Sequence, residues 1–487
     1  MCLLVSGLTI RISIALAGRF GIMDHPGGHK QHGTSTPFVG GAGIIMTVLI
    51  VSLYLVALYL RFPSTSLGQM RTIALGAVVI FLTGLADDIW NLNFKVRFFA
   101  QAVAALFMVF LGGVVLSDLG ELLPGLYLNL GLLSVPFTVF ATIGVINALN
   151  MIDGIDGLSG AVSLVSLALA ALVAYLGDQG SHLTLIIALM GGVAGFLYYN
   201  LRYPTNSRAR VFLGNNGSML LGFMFAWIFI DLSQGPDRAM PPVTALWLFA
   251  LPLMDTMGVM LRRVWLGKSP FHADRDHLHH LFLRAGFRVS DTVHIIAIIQ
   301  LAFGMIGIAG LLLGVPDYLM FALYLFSFAT YGYVIARPWR LVPALCRLNA
   351  RLGLPSAQAQ GIFIGYVQRT EAQTFLNTLT KELGNSHDYH LSLHEIDHET
   401  RGGRSVYAVL EMRLSDDDIS LGEVKRLIGA LKKRLVGQPG VQVRQLMHRR
   451  TSPDGDSPNI DRRYQQAKTL IYPTEKKSEV NPSGEPA

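Results

Sequence analysis

Apolar runs long enough to cross a bilayer recur through the first two thirds of the chain, with short polar breaks between them. A membrane-spanning helix needs about 20 consecutive apolar residues. That rule marks about eleven segments, near 1–20, 38–60, 72–86, 98–116, 129–149, 158–177, 183–200, 212–231, 242–261, 292–314 and 317–336. The first is weak, because Arg11 interrupts it, and a start further upstream would suit it. It lacks a charged leading region and a small-residue cleavage site, so it does not read as a cleaved signal peptide.

After Arg337-Pro338-Trp339 the pattern changes. Residues 338–360 read as a linker. Alternating runs predict strands over Gly361–Val367, Tyr389–Ile396, Ser405–Arg413 and Val441–Met447. Helical spacing predicts helices over Glu371–Leu383 and Leu421–Leu435. The order βαββαβ over residues 361–449 suggests a ferredoxin-like α+β domain. Residues 450–487 are rich in Pro, Ser, Lys and Glu and read as a disordered tail. The expected architecture is an all-α polytopic bundle over 1–337, followed by this small cytoplasmic domain.

Composition supports the membrane reading. Of 487 residues, 52% are hydrophobic and 15% charged, against about 25% charged in soluble domains. The net charge of +7 is modest and reads as loop charge, not as nucleic-acid binding. Two cysteines, Cys2 and Cys346, lie far apart and form no CxxC pattern, which argues against a disulfide framework or a zinc site.

Charge also orients the chain. Loops after odd-numbered segments hold Lys30, Lys95, Arg97, Arg202, Arg208, Arg210, Arg262, Arg263, Lys268, Arg275, Arg284 and Arg288. The other loops hold Arg61, Arg71 and Arg238. Twelve against three makes the first set cytoplasmic by the positive-inside rule. The N-terminus is then outside and the C-terminus inside.

Five polar clusters fall on that cytoplasmic side. The first runs from Asp24 through Lys30 and His32. The second is Asp87-Asp88, followed by Asn91, Lys95 and Gln101. Adjacent carboxylates repel unless a cation compensates them, and Mg²⁺ binds through one or two carboxylates plus substrate phosphates. In the third, Asn147, Asn150 and Asp153 recur every three residues along one helical face, and Asp153-Gly154 and Asp156-Gly157 then suggest a turn. The fourth, Gly214-Asn215-Asn216-Gly217-Ser218, opens a span whose free N–H groups could face an anion. The fifth runs from His272 through Asp274, Arg275 and His277 to His279 and His280. Arginine with histidine suits phosphate recognition and proton handling. Its spacing is not the zinc-protease pattern.

Together these clusters resemble the polyprenyl-phosphate N-acetylhexosamine-1-phosphate transferase family, in matching order from about Asp24 to Phe287. Pro252-Leu253-Met254-Asp255, Leu261-Arg262-Arg263, Gly267 to Phe271 and Asp274 to His280 are most similar to its UDP-GlcNAc:undecaprenyl-phosphate branch. The resemblance implies that a polyprenol phosphate attacks the β-phosphorus of a UDP-sugar, that UMP leaves, and that Mg²⁺ or Mn²⁺ is required. The expected setting is the inner membrane, with the site facing the cytoplasm and the lipid-linked product feeding a cell-envelope glycan. The implied catalytic residues are Asp87, Asp88, Asp153, Asp156 and His277. Lys30, His32, Lys95, Asn147, Asn150, Arg275, His279 and His280 are the implied substrate contacts, and Asp88 and Asn215 the metal site. Expected partners are a UDP-sugar, polyprenyl (undecaprenyl) phosphate and the bilayer, with a homodimer as a candidate assembly.

Two departures bear on activity. The family's metal-binding Asp is Asn215 here, and a third Asp that often follows the acidic pair is Asn91. They motivate a second reading, a weakly active or inactive relative that acts as a scaffold. A transporter is a third class, but transporter sites lie near mid-membrane. The CDP-alcohol phosphotransferase signature is absent, because Asp153-Gly154 continues as Ile155-Asp156-Gly157.

Overall fold

A computed structural model of the chain describes residues 1–24, 36–61, 73–203, 208–265, 267, 269, 277–352, 361–365, 389–400, 403–414 and 444–447. It divides into two units, one of Met1–Leu283 with Val289–Val342, the other of Arg284–Arg288 with Pro343–Ala487.

The first unit is a helical bundle. Its elements are α1 (Cys2–Phe20), α2 (Gly40–Arg61), α3 (Ile73–Trp90), α4 (Phe94–Phe110), α5 (Ser134–Ile152), α6 (Leu158–Leu176), α7 (Gly180–Asn200), α8 (Gly214–Ser233), α9 (Pro242–Leu248), α10 (Ala250–Trp265), α11 (Leu278–Arg284), α12 (Val289–Leu312) and α13 (Asp317–Ile335). Among the described residues, nine helices are long and apolar enough to cross a membrane, or ten if the bent pair α9–α10 forms one span. This is a multi-pass membrane protein. The apolar segment expected near 98–116 folds as α4, which has 17 residues and carries Lys95 and Arg97 in its first turn. Large apolar side chains such as Leu53, Leu82, Phe99, Phe140 and Phe326 stay exposed, as helices facing lipid require.

Helix α8 is the centre of the bundle. It is apolar on all sides, which is the pattern of a fully buried helix, and nearly all of it is buried. Helices α2, α3 and α5 pack on it. Small residues let the backbones close up. A Cβ at Gly84 would lie 2.5 Å from the Asn216 Cα, and one at Gly222 the same distance from the Ile146 Cα.

The break between α9 and α10 bends the chain by 83°. Pro252 has no N–H to offer the Leu248 carbonyl and so cannot continue the ladder. Buried Gln300 of α12 repairs the gap: its amide nitrogen donates to the Leu248 carbonyl at 2.8 Å, and its oxygen accepts the Leu251 N–H at 3.0 Å. A broken helix in lipid needs such a substitute partner.

Two short antiparallel pairs accompany the helices: β1 (Met23–Asp24) with β2 (Thr36–Pro37), and the hairpin β3 (Asp118–Leu123) with β4 (Leu126–Asn129). The hairpin falls in the gap between the segments marked near 98–116 and 129–149, where the sequence patterning predicts no strands.

Residues read from sequence as a linker form a helix, α14 (Pro338–Leu352), which belongs to the second unit from Pro343 on. Pro338 occupies its first position, where a missing N–H costs nothing. Strands β5 (Gly361–Gly365), β6 (Tyr389–Thr400), β7 (Gly403–Leu414) and β8 (Arg444–Met447) form one antiparallel sheet in the order β6-β7-β5-β8. The helices expected over 371–383 and 421–435, and the tail over 450–487, lie outside the described residues.

Candidate active site

The site forms where the end of α3, the end of α5, the start of α6, the end of α7 and the start of α8 meet. Gly84 sets the first contact. Its lack of a side chain seats α3 against the first turn of α8, and Asp88, four residues on, lies on the same helical face. Asp88 Oδ1 accepts the Asn215 N–H at 2.8 Å, and Oδ2 accepts the Asn216 N–H at 3.0 Å and the Asn216 side-chain amide at 2.5 Å. The anion expected at this helix N-terminus is thus a carboxylate of the chain itself. Free N–H groups there suit a negative charge, and the helix dipole adds to the attraction.

Asp87 points elsewhere, because neighbouring helix positions face about 100° apart. It is buried and forms an ion pair with Arg97 of α4 at 2.8 Å. The acidic pair therefore splits, and only Asp88 reaches α8. Lys95 is exposed at the start of α4, where its backbone N–H is capped by Asn93 at 3.0 Å.

Helix α5 supplies the next row. Asn147 donates to Gln101 of α4 at 2.8 Å and Asn150 donates to the Asn215 oxygen at 2.7 Å and the Ser218 hydroxyl at 2.8 Å. The expected face is thus real, but its first member is tied to α4 and its second to α8. Asp153 ends the helix and accepts the Ser159 hydroxyl at 2.5 Å. Desolvation by burial pushes its carboxyl up to about 7, with the charges of Asp88 and Asp156 adding, against the Ser159 hydrogen bond. Asp156 is buried and compensated: its Oδ2 accepts Arg202 Nε at 2.7 Å and the Ala209 N–H at 3.3 Å. Asn200 holds the turn by accepting the Gly157 N–H at 2.6 Å. Gly157 has φ +84°, a conformation that favours glycine.

The histidine segment closes the site from α10 and α11. Asp255 of α10 accepts His277 Nδ1 at 2.8 Å, the Leu278 N–H at 3.1 Å and the Tyr331 hydroxyl at 2.6 Å. His277 lies parallel to His279, with ring centroids 5.8 Å apart, and His279 lies 4.2 Å from His280. His279 is buried against Gly154, where an added Cβ would overlap its Nε2. Burial pushes the His279 imidazole well below its usual value, and His280 and His277 push the same way, against Asp255. His279 is therefore a neutral ring wedged on the Asp153-Gly154 turn. Lys30, His32 and Arg275 lie outside the described residues.

Asp88, Asn150, Asn215, Asp153, Asp156 and His279 thus come together, and His277 adjoins them through His279. Ser159 and Tyr331 are polar partners that the expected site did not include, while Gln101 and Asp255 stood in the sequence motifs without an assigned role. Asp255 had a signal, a lone carboxylate inside an apolar span. Tyr331 had none, since tyrosines are ordinary at span ends.

Among the described residues, no three of His, Cys, Asp and Glu converge as a metal-binding group. The donor set still suits Mg²⁺ bridged by substrate phosphates, which needs only one or two protein carboxylates. Asp87 and Asp156 have arginine partners, whereas the charge of Asp88 acts on Asp153 as a like charge. A hard cation would relieve that repulsion.

This geometry defines a membrane-embedded class with an acidic, amide-rich centre and a histidine flank. Residues 70–233 match Glycosyl transferase family 4. The undecaprenyl-phosphate alpha-N-acetylglucosaminyl 1-phosphate transferase of Haemophilus influenzae is 36% identical over 345 residues, 71% of this chain and 95% of its own length. The proteins of the same description from Escherichia coli and Yersinia pestis are 36% and 34% identical, each across 69% of this chain and 90% of its own length. The chain belongs to this family of polyprenyl-phosphate sugar-1-phosphate transferases.

Proposed function

We propose that the protein transfers N-acetylglucosamine 1-phosphate from UDP-GlcNAc to undecaprenyl phosphate and releases UMP. An oxygen of the lipid phosphate forms a bond to the β-phosphorus. The bond from that phosphorus to the oxygen bridging the α-phosphorus breaks, and UMP leaves with its electron pair. The product begins a lipid-linked cell-envelope glycan.

The observation that carries this reading is the placement of Asp88 and Asp153 at the meeting helix ends, beside the turn on which His279 rests. Phosphoryl transfer needs positioning and charge neutralisation more than covalent help. Asp88 and Asp153, with the Asn215 amide oxygen, would hold Mg²⁺ or Mn²⁺. Such an ion supplies neutralisation of the diphosphate charge. Asn150 fixes the Asn215 side chain, Arg202 fixes Asp156, and Asn200 fixes the turn between them. The lipid phosphate is already ionised near neutral pH, so the demand for a strong base is small.

The site faces the cytoplasm and the protein resides in the inner membrane, a reading supported by the loop charge bias. The C-terminal sheet order β6-β7-β5-β8 supports a ferredoxin-like cytoplasmic domain. Residues 1–337 form the transferase domain in this reading, and a homodimer is its assembly. The test is UMP release by purified full-length protein from a panel of UDP-sugars with undecaprenyl phosphate, with Mg²⁺, Mn²⁺ or chelator. UDP-GlcNAc with either metal should give turnover. No release from any UDP-N-acetylhexosamine would overturn the reading.

A further inference from the structure

The polar network at Asp255 lies outside the acidic centre and joins three elements. Asp255 is 1% exposed, and His277 is 5% exposed. One Asp255 oxygen takes His277 Nδ1, and the other takes both the Tyr331 hydroxyl and the Leu278 N–H. A carboxylate only accepts, so the hydrogen-bond pattern assigns the His277 proton to Nδ1. In a neutral ring Nε2 is then the acceptor. A histidine held this way by a carboxylate has a fixed ring and a fixed tautomer.

Asp255 sits on α10, Tyr331 near the end of α13, and His277 just ahead of α11. Asp255 holds the imidazole directly, and Tyr331, from a second span, holds Asp255. The clamp also holds the helix that His277 leads into. The Leu278 N–H is the first of α11, and Asp255 takes it, so the start of α11 is set with the ring. His279, in the first turn of that helix, then rests against Gly154 at the acidic centre.

We infer that Asp255 and Tyr331 are positioning residues, which set the ring and tautomer of His277 and seat α11 on the Asp153-Gly154 turn for the transfer reaction. This deepens the proposed function and rests on it. Both residues act through His277 and α11.

The decisive experiment is a double-substitution cycle in the full-length protein, read as kcat and KM for UDP-GlcNAc. Asp255→Asn should lower kcat by at least about tenfold while KM changes less than about threefold, since an interaction made only in the transition state lowers kcat. Tyr331→Phe should lower kcat by a smaller factor with the same split. In the His277→Gln background neither change should cost more than about twofold further, because residues that act through one group do not add. Independent losses that multiply would overturn the inference, as would wild-type kcat in both single variants.

A second readout does not need turnover. Carbethoxylation of His277 by diethyl pyrocarbonate, followed by peptide mass spectrometry, should be slow in the wild type. It should accelerate at least fivefold in Tyr331→Phe, with exposed His294 unchanged as the internal control. An unchanged His277 rate would overturn the clamp even if the protein proved inactive. A faster rate in a protein without turnover would leave the clamp standing and reject the transferase reading instead. Tyr331→Phe also covers the case in which Asp255→Asn does not fold.

Discussion

Asp88 and Asn216 are joined twice through a single oxygen: the Asn216 N–H reaches Asp88 Oδ2 at 3.0 Å and its side-chain amide reaches it at 2.5 Å. The same amide also donates to the Phe38 carbonyl at 2.9 Å. Asn216 therefore ties the end of α3 and the segment leading into α2 to the first turn of α8. The carboxylate that the family resemblance assigns to the metal thus also caps the central helix.

Asp88→Asn should abolish more than charge. An asparagine must present a donor to one of three N–H groups, and it supplies no carboxylate to the site. UMP release should fall by about 100-fold or more, the scale of losing one preorganised charge-stabilising group. Asn216→Ala keeps both backbone bonds and should lose less. Equal losses, or full activity in Asp88→Asn, would remove the assignment. UMP release by the two purified variants, measured side by side, decides this.

Asn215→Asp should tighten metal binding. The Asn215 oxygen already accepts from Asn150, so a carboxylate oxygen can replace it without losing that bond. Added ligand charge raises cation affinity. The Mg²⁺ concentration for half-maximal activity should fall by about threefold or more. Without metal the same variant should be less stable than the wild type, because a further negative charge joins Asp88 and Asp153. A Mg²⁺ titration and a melting curve in chelator check the two halves.

Asp153 should impose an acid limb on activity. Its carboxyl titrates near 7 in the folded protein against 3.8 for the unperturbed group. Between those values the folded chain keeps a proton that an unfolded chain would release, so this group's contribution to stability is complete below 3.8. It is lost as pH rises through about 7. Activity needs the ionised form and should rise across the same interval. The rate of the wild type from pH 5.5 to 8.5 should show this rise, and Asp153→Asn should show neither the limb nor significant turnover.

Gly154→Ala should damage the site without unfolding the bundle. The new methyl would overlap His279 Nε2, so α11 must shift. Displacing a positioning element by about 1 Å costs roughly ten- to hundredfold in rate. Turnover should fall in that range while the melting temperature stays close to wild type. Unchanged turnover would show that the His279 contact is dispensable.

Much of the bundle was legible in the sequence, because a span must be apolar over its length and each of the eleven marked segments carries a helix or the bent pair. The bend at Leu248–Ala250 was not legible, since Gln300, which makes it tolerable, comes from a helix 50 residues away. The hairpin at Asp118–Asn129 lies in the gap between two marked segments, where Pro124-Gly125 is a turn cue but the short flanking runs carry no clear alternation. Helix α14 was masked by two prolines, although Leu341, Leu345, Leu348 and Leu352 have helical spacing.

At the site, residue types and order along the chain were legible, and partners were not. Spacing along α5 marked Asn147, Asn150 and Asp153, of which Asp153 proves to lie just past the helix end, and nothing in it says that Asn150 meets Asn215 or that Asp87 turns to Arg97. The Asn150–Asn215 pairing depends on the close approach of α5 and α8 at Gly222, which is a property of two helices together.

The central claim is that a sugar phosphate, and not a bare sugar, moves to lipid. UDP-GlcNAc labelled both in the sugar and at the β-phosphorus should be given to the wild-type protein with undecaprenyl phosphate and Mg²⁺. Both labels should enter the lipid fraction in equal amount as UMP accumulates. Sugar label alone in the lipid, with UDP released, or no label in the lipid at all, would contradict it.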